Sequence, residues 1–199
     1  MKIAFALFSY LLGSIPFGYV LFRLSEKKDI RKYGSQSTGA TNILRLKGWK
    51  PALLVLLLDV SKGLLPVFLA LQIFNDRRLA LISALLAVLG HCFPVYIQFK
   101  GGKGLATTIG AYAGLAFKPL LLSLGLFLIV VIISRYVSLG SLLAACSFPF
   151  FLFLFKGEKG LILLSLALLI LIVFQHRENI RRLIRGQERR IGEKIRIEN

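Results

Sequence analysis

Two glycine-rich polar segments of the sequence have the composition of anion-binding loops. The first runs from Gly34 to Arg45 and reads GSQSTGATNILR, and the second runs from Gly90 to Gly104 and reads GHCFPVYIQFKGGKG. Glycines allow turns in which successive backbone N–H groups point into one concavity and bind an anion. Arg45 adds a bidentate partner for phosphate, and Lys103 adds a positive charge to the second segment. Both segments are therefore predicted to bind phosphate groups.

The other polar groups of these segments are candidates for substrate binding. They are Ser35, Thr41 and Asn42 in the first segment and His91, Gly101, Gly102 and Gly104 in the second. The stretch FKGGKG is not a Walker A loop, because Ile97 replaces its first glycine and Gly104 replaces its final Ser or Thr. A helix that begins after Gly104 would still direct N–H groups at an anion. The simpler alternatives are a capped turn and a flexible basic loop.

Two further sets of polar residues have helical spacing. Asp59 and Lys62 are three residues apart in an apolar stretch, so they share one helix face. Ionisable residues at membrane depth are costly and commonly functional, which makes Lys62 a candidate substrate ligand. The alternative is that the pair only neutralises itself and fixes helix packing. His176 and Asn179 also share a face, and with Arg182 they are predicted to close over a polar headgroup.

The elements that carry these residues are predicted to be membrane helices. Hydrophobic residues make up 56% of the chain, and the mean hydropathy is +0.75. A water-soluble chain of 199 residues cannot bury so much apolar surface. We predict an all-α polytopic membrane protein with one domain over residues 1–199. Its seven transmembrane helices, followed by a basic tail at 176–199, are predicted at about 3–22, 51–74, 79–98, 104–117, 119–134, 138–155 and 160–175.

The fourth predicted helix is short for a membrane span. It has about 14 residues, or roughly 21 Å of helix, whereas a straight span needs about 20 residues. Lys118-Pro119 separates it from the fifth helix, because the residue before a proline disfavours the helical conformation. The fourth helix is therefore expected to begin below the membrane surface. In a six-span alternative, it enters the membrane and returns to the same side.

The distribution of basic residues predicts the orientation. With seven spans, one side carries 19 of the 26 Lys and Arg residues, and the other carries 6. Because basic loops stay in the cytoplasm, the N-terminus is predicted outside and the C-terminus inside, with the polar motifs on the cytoplasmic side. The net charge of +17 suits anionic lipid headgroups, and no nucleic-acid recognition module accompanies it. Cys92 and Cys146 lack the spacing of a metal site.

Taken together, the motifs resemble those of the bacterial membrane glycerol-3-phosphate acyltransferases that use acyl phosphate as donor. The resemblance covers nearly the whole chain and rests on GSQSTGATNILR, DVSKG, GHCFPVYIQFKGGKG and HRENIRRLIRG, in that order. It implies the first step of phospholipid synthesis in the bacterial inner membrane. In that step an acyl group moves to the 1-hydroxyl of glycerol 3-phosphate, which yields lysophosphatidic acid and phosphate. We expect a monomer in contact with membrane lipid, with no cofactor and no metal.

The expected mechanism is chiefly one of positioning. Acyl phosphate is an activated mixed anhydride, and orienting two reactants can lower a barrier by about 7–11 kcal/mol. Residues 101–104, with Lys103, are expected to hold the donor phosphate, and backbone amides near Gly102 to act as oxyanion donors. The proton of the 1-hydroxyl is expected to pass to a substrate phosphate, with His91 or His176 as the alternative base. The candidate catalytic residues are Ser35, Arg45, Lys103, His176 and Asn179.

Two other function classes share these features. A transporter of phosphate esters would also need membrane spans and basic loops, but its anion site should lie near the membrane midplane with access from both faces. Here the cationic motifs crowd one face of the predicted topology. A purely structural membrane scaffold would leave the glycine-rich anion loops without a role.

Overall fold

The computed structural model describes residues 1–193, which fold into α-helices and two short 3-10 helices, with no strand among them. The all-α prediction is confirmed, and residues 194–199 of the predicted tail lie outside the described part. The α-helices of the described residues are α1 (Lys2–Gly13), α2 (Phe17–Glu26), α3 (Ala40–Lys47), α4 (Trp49–Ile73), α5 (Arg77–Cys92), α6 (Leu105–Leu115), α7 (Phe117–Ser134), α8 (Val137–Leu154), α9 (Lys159–Gln175) and α10 (Arg177–Ile184). The 3-10 helices are Ile30–Lys32 and Val95–Ile97.

A break near its middle divides the first apolar stretch into two helices. α1 ends at Gly13, and α2 begins at Phe17. Pro16 explains the break, because proline has no backbone N–H and its ring clashes with the carbonyl four residues earlier. The residues Lys2–Glu26 together still form a stretch of 25 residues that is apolar enough to cross a membrane. The break therefore places irregular backbone inside a candidate span.

Five stretches of the described residues are long and apolar enough to cross a membrane: Lys2–Glu26, α4, Arg77–Ile97, α7 and α8. A sixth is added if α9 and α10 count as one span, although the two helices are bent by 61°. Seven spans were predicted, but α9 with 17 residues and α6 with only 11 are too short to be counted as spans by their length alone. At about 1.5 Å per residue, α6 is roughly 16 Å long, and it is shorter than the predicted segment 104–117.

Glycines allow α4 and α6 to pack with their backbones in contact. A Cβ atom at Gly63 would lie 2.0 Å from the carbonyl oxygen of Thr107, and one at Gly110 would lie 1.9 Å from that of Val60. Small residues are the usual means by which membrane helices approach each other closely. This contact holds α6, and with it the glycine-rich loop that precedes α6, against the middle of the bundle.

The core and the outer surface of the bundle are both apolar. Inside, Tyr112 stacks on Phe148 with ring centroids 3.6 Å apart, and both side chains are buried. On the outside, the side chains of Ile132 and Ile133 are 75% and 79% exposed. A large exposed apolar surface is unfavourable in water and is expected where the surroundings are lipid.

Successive helices place their connections at two ends of the bundle. One end carries the α4–α5 and α8–α9 connections and is held by surface ion pairs, Lys2 with Asp76 at 2.7 Å and Arg77 with Glu158 at 2.7 Å. The other end carries α3, the glycine-rich loop and α10. All three polar motifs therefore lie at the same end.

Replacing Gly63 with Ala is expected to destabilise the protein, because the added methyl group overlaps the Thr107 carbonyl. Overpacking costs about 1–3 kcal/mol, so the melting temperature in detergent should fall by several degrees. Gly125→Ala in α7 is the matched control, since no atom lies within 4 Å of its Cβ position. Alanine favours helix, so the control should melt at the same temperature as the parent or higher. Equal melting temperatures for the two variants would contradict the close backbone contact.

Candidate active site

Asn42 shapes the first polar loop from within. Its side chain is buried, its Oδ1 accepts the backbone N–H of Ser35 at 2.9 Å, and its Nδ2 donates to the carbonyls of Ser37 at 2.9 Å and Tyr33 at 3.2 Å. Asn42 does not cap α3, whose N-cap is Gly39. The structure therefore gives Asn42 a positioning role, since all its side-chain hydrogen bonds serve the turn that presents Ser35.

α3 carries two further predicted residues of this motif. Thr41 lies in its first turn and is partly exposed, while the side chain of Arg45 is turned inward and buried. Arg45 Nη2 donates to the carbonyl of Arg189, 3.3 Å away. Burial lowers the pKa of the Arg45 guanidinium, and the nearby carboxylate of Glu188 opposes that shift. Arg45 therefore faces the C-terminal segment and stays charged at neutral pH.

The glycine-rich loop is locked against the end of α5 by its own backbone. The N–H of Gly101 donates to the carbonyl of Cys92 at 3.2 Å, and that of Gly102 donates to the carbonyl of His91 at 3.1 Å. Both amides are thus occupied, so the predicted oxyanion donors near Gly102 would have to be other amides of this loop. Gly104 has a φ of +84° and forms the N-cap of α6, as the predicted helix start requires. The first-turn amides of α6 have no preceding helical turn to bond.

Buried ionisable residues of α4 and α5 pack under the glycine-rich loop, on the side that faces the interior of the bundle. Lys62 Nζ lies 2.9 Å from Asp59 Oδ1 and donates to the carbonyl of Ile15 at 2.7 Å. His91 Nδ1 lies 3.5 Å from the same carboxylate oxygen. A Cβ atom at Gly102 would be 2.1 Å from His91 Nε2, so the loop backbone rests directly on the imidazole. The predicted shared face of Asp59 and Lys62 is confirmed, and the partners of Lys62 and His91 favour a structural role for both.

The C-terminal motif HRENIRRLIRG, residues 176–186, contacts the glycine-rich loop through Lys103 of that loop. Lys103 Nζ donates to Asn179 Oδ1, and Asn179 Nδ2 donates to Glu188 Oε1 at 2.8 Å. The same carboxylate accepts from Arg182 Nε at 2.8 Å and from Ser138 Oγ at 3.0 Å. Segments that are far apart in the sequence therefore converge on one buried carboxylate.

His176 ends α9 with a fixed ring. Its side chain is buried, and Nδ1 lies 2.8 Å from the carbonyl oxygen of Ile172. A carbonyl only accepts hydrogen bonds, so Nδ1 carries the proton. Burial and, to a smaller extent, the charge of Lys103 lower the pKa of His176 to about 4. The ring is therefore neutral at physiological pH, and its Nε2 is an acceptor for a hydroxyl group.

The charges of the cluster act on one another. Burial lowers the pKa of Lys103 to about 8, Glu188 opposes this shift, and Arg182 and Arg45 add to it. The pKa of Glu188 itself is lowered: burial raises it, but the hydrogen bonds from Arg182, Asn179 and Ser138 outweigh burial. The site is thus a concentration of positive charge around a carboxylate that stays ionised.

Sequence reasoning named most of this cluster and missed two members. Arg45, Lys103, His176 and Asn179 are brought to one end of the bundle, with Ser35 on the neighbouring loop and Thr41 in the first turn of α3. Ser138 and Glu188 were not predicted. Ser138 is a buried polar residue in the first turn of α8, and Glu188 is one of few acidic residues in a basic segment. Those two features are the only signals that the sequence offered for them.

An apolar cleft begins beside the polar cluster and passes between α6, α7, α8 and α9. Its walls include Leu105, Ile109, Tyr112, Phe127, Phe148 and Ile172. Leu105 follows the glycine-rich loop directly, and the carbonyl of Ile172 holds His176. Leu105 and Ile172 therefore place one end of this apolar cleft next to the polar cluster.

A family model described as glycerol-3-phosphate acyltransferase matches residues 3–186. The chain belongs to the glycerol-3-phosphate acyltransferase family. A member from Prochlorococcus marinus (strain MIT 9312) is 40% identical over 195 residues, which span 97% of this chain and 99% of the relative. A member from Maridesulfovibrio salexigens is 44% identical over 181 residues, which span 91% of this chain and 92% of the relative.

Solved structures of one member have the same fold. Crystal structures of PlsY (YgiH), an integral membrane glycerol 3-phosphate acyltransferase, match in a glycerol 3-phosphate form and a lysophosphatidic acid form. The first has a TM-score of 0.92 at 39% identity and the second 0.88 at 38%, and each match covers 96% of both chains. The chain is therefore a multi-pass membrane acyltransferase of this family, and the transporter and scaffold alternatives are not retained.

The protonated form of Lys103 is expected to be needed for binding phosphate. Because its pKa is lowered to about 8, its charged fraction falls as the pH rises through that value. The KM for glycerol 3-phosphate should therefore increase when the pH exceeds about 8. The substrate itself does not titrate in this range, because the second pKa of a phosphate monoester is about 6. Lys103→Arg should keep its charge and shift the rise to higher pH. Lys100→Arg in the same loop is the control, and a flat wild-type profile up to about pH 10 would refute this role.

Replacing Asp59 with Asn is expected to destabilise the fold, because the buried ammonium of Lys62 loses its partner. Breaking a buried pair costs about 3–5 kcal/mol, measured here by thermal unfolding in detergent. The double variant Asp59→Asn/Lys62→Met removes both charges and should regain most of the loss. Its KM for glycerol 3-phosphate should match the parent's. A normal melting temperature with a raised KM would instead support Lys62 as a substrate ligand.

Proposed function

We propose that this chain transfers an acyl group from acyl phosphate to the 1-hydroxyl of glycerol 3-phosphate, which yields lysophosphatidic acid and inorganic phosphate. The observation that carries the proposal is the convergence of Arg45, Lys103, Asn179 and Arg182 around one buried carboxylate, that of Glu188, next to an apolar cleft. Both proposed substrates carry phosphate, and the donor also carries an acyl chain. The site offers partners for each of these parts.

The acceptor is assigned to the cationic cluster. Arg45 and Arg182 provide guanidinium groups for the phosphate of glycerol 3-phosphate, and Asn179 provides an amide. Ser35 on the adjacent loop and Thr41 in the first turn of α3 would bond the hydroxyl groups of the acceptor. The PlsY structure in its glycerol 3-phosphate form, which shares the fold of this chain, supports this acceptor.

The donor is assigned to the start of α6 and to the apolar cleft. Lys103 and the first-turn amides of α6 would hold the phosphate of the acyl phosphate, because a helix N-terminus favours an anion. The acyl chain would lie along Leu105, Ile109 and Tyr112, which line one wall of the cleft. Lys103 would thus stand between the two phosphates, where its ammonium offsets the charge of both.

The chemical step exchanges one acyl–oxygen bond for another. The 1-hydroxyl oxygen attacks the acyl carbon, the bond from that carbon to the phosphate oxygen breaks, and inorganic phosphate leaves. The proton of the hydroxyl passes to a phosphate oxygen of the substrates. His176 would accept a hydrogen bond from the hydroxyl at Nε2 and orient it, since its Nδ1 is bonded to the Ile172 carbonyl. Lys103 stabilises the charge on the leaving phosphate.

The proposed topology has seven membrane segments, with the N-terminus outside and the C-terminus in the cytoplasm of a bacterial inner membrane. Lys2–Glu26, α4, α5, α6, α7, α8 and α9 would be those segments. The short α6 begins at the glycine-rich loop, so that loop would lie below the level of the headgroups. The active site would then face the cytoplasm, because that end carries most of the Lys and Arg residues. The enzyme is proposed to act as a monomer.

Purified protein in detergent is expected to release phosphate from acyl phosphate only when glycerol 3-phosphate is present, and to form lysophosphatidic acid. Acyl-CoA should be inert, because its acyl carbon is bonded to a thioester sulfur and not to the phosphate that Lys103 and α6 would hold. Arg45→Lys should raise the KM for glycerol 3-phosphate about tenfold or more, since a bidentate partner becomes a point charge. Lys100→Arg in the exposed loop should leave the rate unchanged.

The same assay tests the proton acceptor. With a substrate phosphate as base, His176→Gln should lower kcat but keep the shape of the pH–rate profile near neutrality, because the glutamine can still orient the hydroxyl. If the His176→Gln variant loses both its activity and the pH-dependent part of its pH–rate profile near neutrality, His176 is the base instead. Transfer from acyl-CoA at a rate equal to that from acyl phosphate would overturn the proposed donor.

A further inference from the structure

Glu188 is buried in a segment whose neighbours are exposed. Its side chain has a relative exposure of 7%, whereas Gly186, Gln187 and Arg190 are all exposed. Burying a carboxylate is costly unless strong donors surround it. The residue is therefore held at this position by its partners, and those partners belong to the site assigned to substrate.

The donors around Glu188 are those of a phosphate site. Arg182 Nε and Asn179 Nδ2 each lie 2.8 Å from a carboxylate oxygen, and Ser138 Oγ lies 3.0 Å away. Arg45 and Lys103 are close enough for the carboxylate to raise the pKa of both. Among the ion pairs of residues 1–193, Arg182 is paired only with Glu188, and neither Arg45 nor Lys103 has a carboxylate within ion-pair distance. The carboxylate thus stands where a substrate anion would be bound.

We propose that Glu188 is a built-in competitor for the phosphate of the acceptor. In the substrate-free enzyme its carboxylate fills the anion position between Arg182, Asn179 and Ser138, and glycerol 3-phosphate binds by displacing it. This inference rests on the proposed function, which assigns that position to the acceptor.

The segment that carries Glu188 is attached in a way that allows release. It crosses the site as a strap over residues 187–191. Its anchors are chiefly backbone groups: Arg45 bonds to the Arg189 carbonyl at 3.3 Å, and the Ile191 N–H donates to the Arg135 carbonyl at 2.8 Å. Gly186 and Gly192 flank the strap with φ values of +66° and +94°. Such backbone conformations are accessible to glycine, so both ends can act as hinges.

Charge determines which ligands can displace the strap. Glu188 offers one negative charge, whereas a phosphate monoester offers nearly two at neutral pH. A cluster of cations therefore favours the phosphate, while an uncharged polyol such as glycerol gains nothing by exchanging with the carboxylate. The measured affinity for the acceptor equals the intrinsic affinity multiplied by the fraction of molecules in which the strap is open. Glu188 is thus expected to set both the affinity and the selectivity for a phosphorylated acceptor.

The first test is the binding of glycerol 3-phosphate to Glu188→Gln by calorimetry in detergent, with no acyl donor present. If the strap is closed in about nine molecules of ten, removing the charge should tighten binding up to about tenfold. Glu178→Gln is the matched control, because Glu178 is exposed on α10 and pairs only with Arg181. Its affinity should equal that of the parent. Equal or weaker binding by Glu188→Gln would overturn the proposal.

A second measurement uses the unmodified protein, so it does not depend on the folding of a variant. Trypsin cleaves after Arg189 and Arg190, which lie in the strap. Saturating glycerol 3-phosphate should speed cleavage there, because the displaced strap is exposed, and glycerol should have no effect. Slower cleavage with glycerol 3-phosphate would overturn the proposal, since the strap would then close on the substrate. No binding of glycerol 3-phosphate by any variant would overturn the proposed acceptor as well.

Discussion

The hydrogen bond from Lys103 to Asn179 joins the glycine-rich loop to the C-terminal helix, and the candidate active site lies where these two meet. Lys103 is carried by the loop before α6, and Asn179 by the helix that follows the last apolar segment. The partly buried ammonium needs an oxygen partner, and the amide of Asn179 passes its own hydrogen bond on to the centre of the cluster.

That contact in turn depends on where the loop is held. The close approach of α4 and α6 at Gly63 and Gly110 fixes the height of α6 in the bundle. Below the loop, the Asp59–Lys62 pair and His91 form a rigid polar base, and the loop backbone is pinned to the end of α5. Catalysis by positioning requires this kind of support, because a displacement of about 1 Å can cost a hundredfold in rate.

The class of fold and most of the candidate site could be predicted from the sequence. The prediction failed where it depended on which polar groups pair with each other in the folded chain. Hydrophobic content predicted membrane helices, and the spacing of Asp59 and Lys62 predicted their pairing. The length of α6 and the break at Pro16 were less accessible, because both depend on which backbone groups find partners in the bundle. The paired amides of Gly101 and Gly102 illustrate the limit: glycine content indicates that a loop can bind an anion, but not which N–H groups are free. Glu188 was missed because it is one of few acidic residues in a basic tail, and their spacing carries no signal.

The order in which the buried polar groups occur along the chain bears on how the protein is made. The carbonyl of Ile15 is synthesised first, then the Asp59–Lys62 pair that bonds to it, then His91, and then the glycines that rest on the imidazole. Lys62 therefore arrives with its counter-ion on the same helix face, after the Ile15 carbonyl to which it donates. Lys103 differs from Lys62, because its partner Asn179 is translated 76 residues later. The polar groups below the glycine-rich loop can thus pair early in translation, whereas the hydrogen bond from Lys103 to Asn179 can form only once the last α-helix of the described residues has been made.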